Sequence, residues 1–195
     1  MSDRYVFANI LLPMALWAAR LGVQGDEVIR DAGLSPQLLS DPSALLSARD
    51  YDAIACAMQR RLADPAFALH VGELLRTDML DTVGLLISTA ADFREAFEQF
   101  LRFKPLVNPC GDLTLAEEGT RARISCHISP EQGLSGDFRY AEMYFSTFYN
   151  LTSAISGRRV KVYRVALTHD GSAYADEFRR IFGEDADIHF NCGDN

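Results

Sequence analysis

The residues of this chain whose types could do chemistry are four cysteines, four histidines and a few acidic pairs. Cys56, Cys110, Cys126 and Cys192 include no C-x-x-C pair and no cysteine–histidine ligand spacing. Cys126 and His127 are adjacent, so on a strand they face opposite sides and cannot hold one metal together. Cys56 falls in a helical pattern and Cys126 on the apolar phase of a strand, and both read as buried thiols. His70, His127, His169 and His189 are widely separated, and each has a purely structural explanation. Glu117-Glu118 belongs to a turn, where adjacent side chains diverge, and Glu184, Asp185 and Asp187 flank the last strand as a solvated loop. There is no G-x-S-x-G, H-E-x-x-H, G-x-G-x-x-G or glycine-rich phosphate loop. The expectation is a protein that is not an enzyme and needs neither cofactor nor metal.

Aromatic residues supply a different signal. Tyr140, Tyr144, Phe145, Phe148 and Tyr149 crowd ten residues, Tyr163 lies on a predicted strand, and Phe93, Phe97, Phe100 and Phe103 line another segment. Core packing accounts for most of the phenylalanines. Buried tyrosine hydroxyls need partners, and apolar walls with a few polar tips are how small-molecule pockets are built. The candidate ligand-binding residues are therefore Phe103, Arg123, Tyr140, Tyr144, Phe148 and Tyr163. Arg123 and Arg139 could pair with an acidic ligand, although a surface position is the better reading of both.

The elements that must position these residues fall into two parts. Residues 1–105 read as helical and residues 106–195 as α+β, together one domain. Pro13 suits a first helical position and Gly22 a stop; residues 26–32 form a second short helix closed by Gly33. Residues 35–37 reopen a turn of helix, and residues 41–43 read as a loop. Tyr51, Ile54, Ala55, Met58 and Leu62 form an apolar stripe at helical spacing. Asp64-Pro65 starts another helix, running to about residue 75. Residues 84–104 read as a further helical region that Pro105 and Pro109 end. Ala122, Ile124, Cys126 and Ile128 then alternate with Arg121, Arg123, Ser125 and His127, which predicts a hairpin with one buried face. Residues 138–156 give the longest helix, capped by Gly157. Residues 160–167 and, more weakly, 188–190 complete the sheet. The fold class is α+β, a helical portion followed by a small, mainly antiparallel sheet in the order hairpin–helix–strand–helix–strand, packed against helices.

Charge narrows the function. The net charge of −8 repels a polyanion, and the basic residues come in scattered pairs. Residues 19–34 resemble a helix-turn-helix around Gly22. The would-be recognition helix carries Asp26, Glu27 and Asp31, however, and a plain helical hairpin is the better reading. No apolar run approaches the ~20 residues that span a bilayer, and the first residues lack the length of a signal peptide. A cytoplasmic protein without membrane contact is expected.

A resemblance joins these marks. Asp31-Ala-Gly-Leu-Ser35 with Leu38-Leu39-x-Asp41-Pro42, then Asp64-Pro-Ala-Phe-Ala-Leu-His-Val-Gly72, resembles the N-terminal effector domain of one branch of AraC/XylS-type transcription regulators. Gly84-Leu-Leu-x-Ser88, Phe93-Arg-Glu-Ala96, Gly157-Arg158, Phe178-Arg-Arg-x-Phe182-Gly183 and Phe190-x-x-Gly193-x-Asn195 agree with it. In this branch the sensor is not the sugar-binding jelly roll but a helical and α+β module. The resemblance implies a ligand-sensing and dimerising domain that binds a small-molecule effector. It implies contact with DNA only through a C-terminal helix-turn-helix domain that this chain does not contain, in keeping with the turn-type residues 191–195. A pure dimerisation module, associating through the face of residues 93–103, is the competing reading, and a stand-alone small-molecule-binding domain is the third.

Overall fold

The computed structural model describes residues 5–41, 43–108, 110–128, 134–135 and 138–193. Residues 1–4, Pro42, Pro109, Asp194 and Asn195, assigned above to a leader-free start, a loop, a helix end and a closing turn, lie outside them.

The chain opens with strand β1 (Tyr5–Phe7), a 3-10 turn (Ala8–Leu11) and helix α1 (Leu12–Arg20). Pro13 sits in the first turn of α1, where its missing N–H costs nothing. Helix α2 (Gly25–Asp31) follows, then a 3-10 turn (Pro36–Ser40) and strand β2 (Leu45–Ser47). The β1 and β2 strands pair antiparallel with Val6 opposite Leu46, both buried, while Tyr5, Phe7 and Leu45 face outward. This ribbon is absent from the sequence reading, because three-residue strands carry too little periodicity.

Helix α3 (Ala48–Leu62) begins at a capping box: Ser47 Oγ accepts the Asp50 N–H at 3.1 Å, and the Asp50 carboxylate accepts the Ser47 N–H at 3.3 Å. Helix α4 (Phe67–Leu74), a 3-10 turn (Thr77–Leu80) and helix α5 (Asp81–Ser88) come next. Helix α6 (Phe93–Val107) is a separate helix rather than the continuation of α5, because Asp92 Oδ1 caps the Glu95 N–H at 2.9 Å and starts it anew. Pro105 does not end α6. It lies within the last turn, which continues to Val107.

Strands β3 (Asp112–Glu118) and β4 (Arg121–His127) form the expected hairpin, with Leu113 opposite Cys126 and Gly119 at φ +62° in the turn. Helix α7 (Tyr140–Ser156) is the longest helix and ends at Gly157. Strand β5 (Arg164–Ala166) is much shorter than residues 160–167. It pairs with strand β6 (Asp187–His189) in parallel, through helix α8 (Ala175–Phe182). Parallel pairing needs such a crossover. Among the described residues the strands therefore make three two-stranded sheets, two of them antiparallel, instead of one continuous sheet. The α+β class stands.

The core forms where α4 lies against α7. Gly72 permits that approach: a Cβ there would meet Ser146 Oγ at 1.9 Å and the Met143 carbonyl at 2.4 Å. One cluster of buried apolar side chains extends from Val6 to Ala186.

Candidate functional site

Helix α3 carries two faces. Its apolar stripe faces the core. The neighbouring positions Arg49, Asp52, Ala53, Cys56 and Arg60, again at helical spacing, look towards Asp31 and Ala32 at the end of α2 and towards Leu134 and Ser135. Together they line an open depression of about 430 Å³. Asp52 forms its floor and is 5% exposed. Its Oδ1 accepts the Tyr140 hydroxyl at 2.9 Å, and its Oδ2 accepts the Ser135 N–H at 2.8 Å. Cys56 Sγ lies 3.0 Å from Ser135 Oγ. Arg61, one residue on from the depression, donates to Glu27 and, at 2.5 Å, to Asp31. Arg61 thereby offsets one of these two negative charges on α2, while Val28 and Ile29 are buried, which is the helical-hairpin role expected for it. Arg49 and Arg60 are exposed and form no ion pair among the described residues.

Inward from Asp52 runs a seam of buried tyrosines. Tyr140, the first residue of α7, lies 4.7 Å from Phe138 and 6.3 Å from Tyr51, ring to ring. One turn on, the Tyr144 hydroxyl donates to the Cys110 carbonyl at 2.5 Å. Lys104 is buried beside it, its Nζ donating to the carbonyls of Asn108, Cys110 and Gly111 at 3.1, 2.8 and 2.5 Å. The same ammonium stands 5.6 Å from the Tyr144 ring. Burial pushes the Tyr51, Tyr140 and Tyr144 phenols up from their ordinary range, so they act as neutral hydrogen-bonding groups. Burial likewise pushes the Cys126 thiol up to about 12, against the opposing Lys104 charge. These are not groups poised to exchange protons near neutrality.

Of the six candidates named from sequence, the structure brings three together. Tyr140, Tyr144 and Phe148 follow one another at i, i+4 and i+8 on the inner face of α7, with Phe148 packed on Phe97 and Phe100 at 4.9 and 5.1 Å. Phe103 is half-buried on α6 under the Arg102 guanidinium. Arg123 is exposed on β4 and pairs with Glu118 at 2.7 Å. Tyr163 is half exposed, with Arg121 4.1 Å and Lys161 5.1 Å from its ring. The last three are distributed away from the seam. Sequence reasoning did not single out Arg49, Asp52, Arg60 and Lys104. The available signal was Asp52 itself, a carboxylate beside the apolar stripe of α3.

Two further polar clusters dock the C-terminal segment. Glu142 on α7 is fully buried; its Oε1 accepts the Tyr174 hydroxyl at 2.7 Å and lies 2.5 Å from His169 Nε2. On the other side, Asp64 Oδ2 accepts Trp17 Nε1 at 2.9 Å and lies 2.7 Å from His70 Nδ1. His70 Nε2 lies 3.1 Å from Glu177 Oε2, and Arg180 joins Glu177 to Glu73. No group of three or more His, Cys, Asp or Glu residues is arranged to hold a metal ion among the described residues, and no described helix is long and apolar enough to cross a membrane.

Comparison with known proteins gives two findings. Residues 22–195 match the family model described as the N-terminal arabinose-binding domain of AraC transcription regulators. The chain is also similar to the ornithine utilization regulator of Pseudomonas aeruginosa, 23% identical over 182 residues, which are 93% of this chain and 52% of that protein. The chain thus spans about half the length of this curated relative.

Proposed function

The chain belongs to the N-terminal, arabinose-binding domain family of AraC transcription regulators, and from that premise we propose that residues 1–195 form one sensor unit. In this reading the unit is cytoplasmic and binds a small-molecule effector in the depression between α2 and α3. It then biases a DNA-binding unit of the same regulator and catalyses nothing itself. The observation that carries the proposal is the Asp52–Tyr140 hydrogen bond, because it ties the floor of the depression to the first residue of the longest helix. A ligand that engages Asp52 differently in two arrangements of α7 shifts the balance between them. The tyrosine seam and the Lys104 cluster support the same reading, as the interior through which such a shift would pass. Tyr140, Tyr144 and Phe148 act there as responders to the ligand; Phe103, Arg123 and Tyr163 remain candidates for contact surfaces elsewhere.

Homodimerisation belongs to the proposal as well. The exposed apolar residues Tyr5, Phe7 and Leu45 share the outer face of the β1–β2 ribbon and support it.

Thermal unfolding of the chain against a panel of small metabolites, and separately against operator DNA, tests the division of labour. At least one metabolite raises the melting temperature and DNA leaves it unchanged. Tight DNA binding by residues 1–195 overturns the reading.

A further inference from the structure

We propose that the α2–α3 depression takes an acidic α-amino acid, a small molecule with two carboxylates and one ammonium; this rests on the sensor reading above and names its ligand class. The argument is a charge count. Four charged side chains line the depression: Asp31, Arg49, Asp52 and Arg60. Asp31 is already engaged by Arg61, which it shares with Glu27. What faces a ligand is two guanidiniums without ion-pair partners among the described residues and one carboxylate at the floor. The complement of that set has two negative groups and one positive group.

Geometry agrees with the count. Arg49, Asp52, Cys56 and Arg60 recur at i, i+3, i+7 and i+11, so they share one side of α3. Asp52 stands roughly 4.5 Å along the axis from Arg49 and roughly 12 Å from Arg60, at 1.5 Å per residue. Both arginines line the depression together with Asp52. Each guanidinium presents the planar fork that matches a carboxylate. Asp52 Oδ2 accepts the Ser135 N–H, and Oδ1 accepts the Tyr140 hydroxyl with the Cys56 thiol 3.9 Å away; a carboxylate has about four acceptor sites, so an ammonium can be added without displacing Tyr140 or Ser135. Ala32, Ala53 and Leu134 supply short apolar walls suited to a small aliphatic spine, and the volume falls within the usual small-molecule range of roughly 300–1,000 Å³. A diamino acid would set two ammoniums against Arg49 and Arg60, and a plain dicarboxylate would leave Asp52 facing only like charge.

Calorimetric titration of the chain with L-glutamate, L-aspartate, glutarate and L-ornithine tests this. The expected result is saturable binding of glutamate or aspartate, at least tenfold weaker binding of glutarate and ornithine, and affinity that falls with added salt. Arg49→Gln and Arg60→Gln should each weaken binding about tenfold or more while leaving the ligand-free melting temperature unchanged, since both side chains are exposed and have no ion-pair partner among the described residues. Preference for ornithine, with the same sensitivity to both variants, overturns the ligand class and leaves the sensor reading standing. Binding of acidic amino acids that neither variant alters overturns the site. If the four probes all fail to bind, the ligand class is overturned, and the broader metabolite panel then decides the sensor reading separately.

Discussion

Asp52 and Tyr140 stand 88 residues apart in the chain, yet their side chains meet at 2.9 Å, both of them buried. Removing the phenolic hydroxyl takes from the buried Oδ1 its close donor and leaves the Cys56 thiol, 3.9 Å away. Tyr140→Phe should destabilise the chain by about 1–3 kcal/mol, read from urea unfolding. An unchanged midpoint would mean that water replaces the hydroxyl without loss.

Lys104 presents a sharper case. Three backbone carbonyls converge on its ammonium, and the Cys110 carbonyl among them also accepts the Tyr144 hydroxyl. Lys104→Met keeps the aliphatic stem but strips those acceptors, and a loss of roughly 3 kcal/mol or more is expected in chemical denaturation. Lys104→Arg should not restore it, because a planar fork cannot reproduce three converging donors.

Gly72 offers a steric test. With Ser146 Oγ and the Met143 carbonyl inside the space that a methyl group would take, Gly72→Ala must push α4 and α7 apart. A cost of about 1–3 kcal/mol follows. Adding Ser146→Ala should recover only part of it, since the backbone carbonyl stays in place. Full recovery in the double variant, measured by the same unfolding assay, would contradict this packing.

Acid should loosen the docking of α8. Burial works to raise the Glu177 carboxyl, but hydrogen bonds from Arg180 and His70 outweigh it and hold the group below its ordinary value of 4.5. A carboxyl depressed in the folded state contributes stability that is fully present above its unfolded value. That contribution disappears as the pH falls through the folded one. Melting temperatures recorded between pH 6 and pH 3 should therefore fall less steeply in Glu177→Gln than in the parent chain. Parallel curves would remove Glu177 from the account.

The outer face of the β1–β2 ribbon can be tested by charge. Phe7→Glu and Leu45→Glu place carboxylates directly opposite one another's apolar partners without touching Val6 or Leu46 beneath. Light scattering should show the parent chain as a dimer and either variant as a monomer with a similar melting temperature. A dimer that persists in both variants places the association elsewhere.

The sequence revealed what rests on local periodicity. The inner face of α7, its stop at Gly157, and the β3–β4 hairpin around Gly119 all follow from spacing within a single element. What depends on distant partners was hidden. Lys104 continues the helical spacing after Leu101, but spacing does not show that its buried ammonium meets the carbonyls of Asn108, Cys110 and Gly111. Arg123 reads as a surface residue from sequence, but its pairing with Glu118 across the hairpin is not visible there. Residues 160–167 promised a long strand, but β6 offers a partner to only three of them. Asp52 was visible as a residue, but not as the floor of a depression, because its two partners come from segments more than eighty residues away.

The relay from Trp17 through Asp64, His70, Glu177 and Arg180 to Glu73 clasps α8 to α4 and, beyond it, to α1. Any displacement of α8 must consequently break that polar clasp as well as expose Phe178, Ile181 and Phe182.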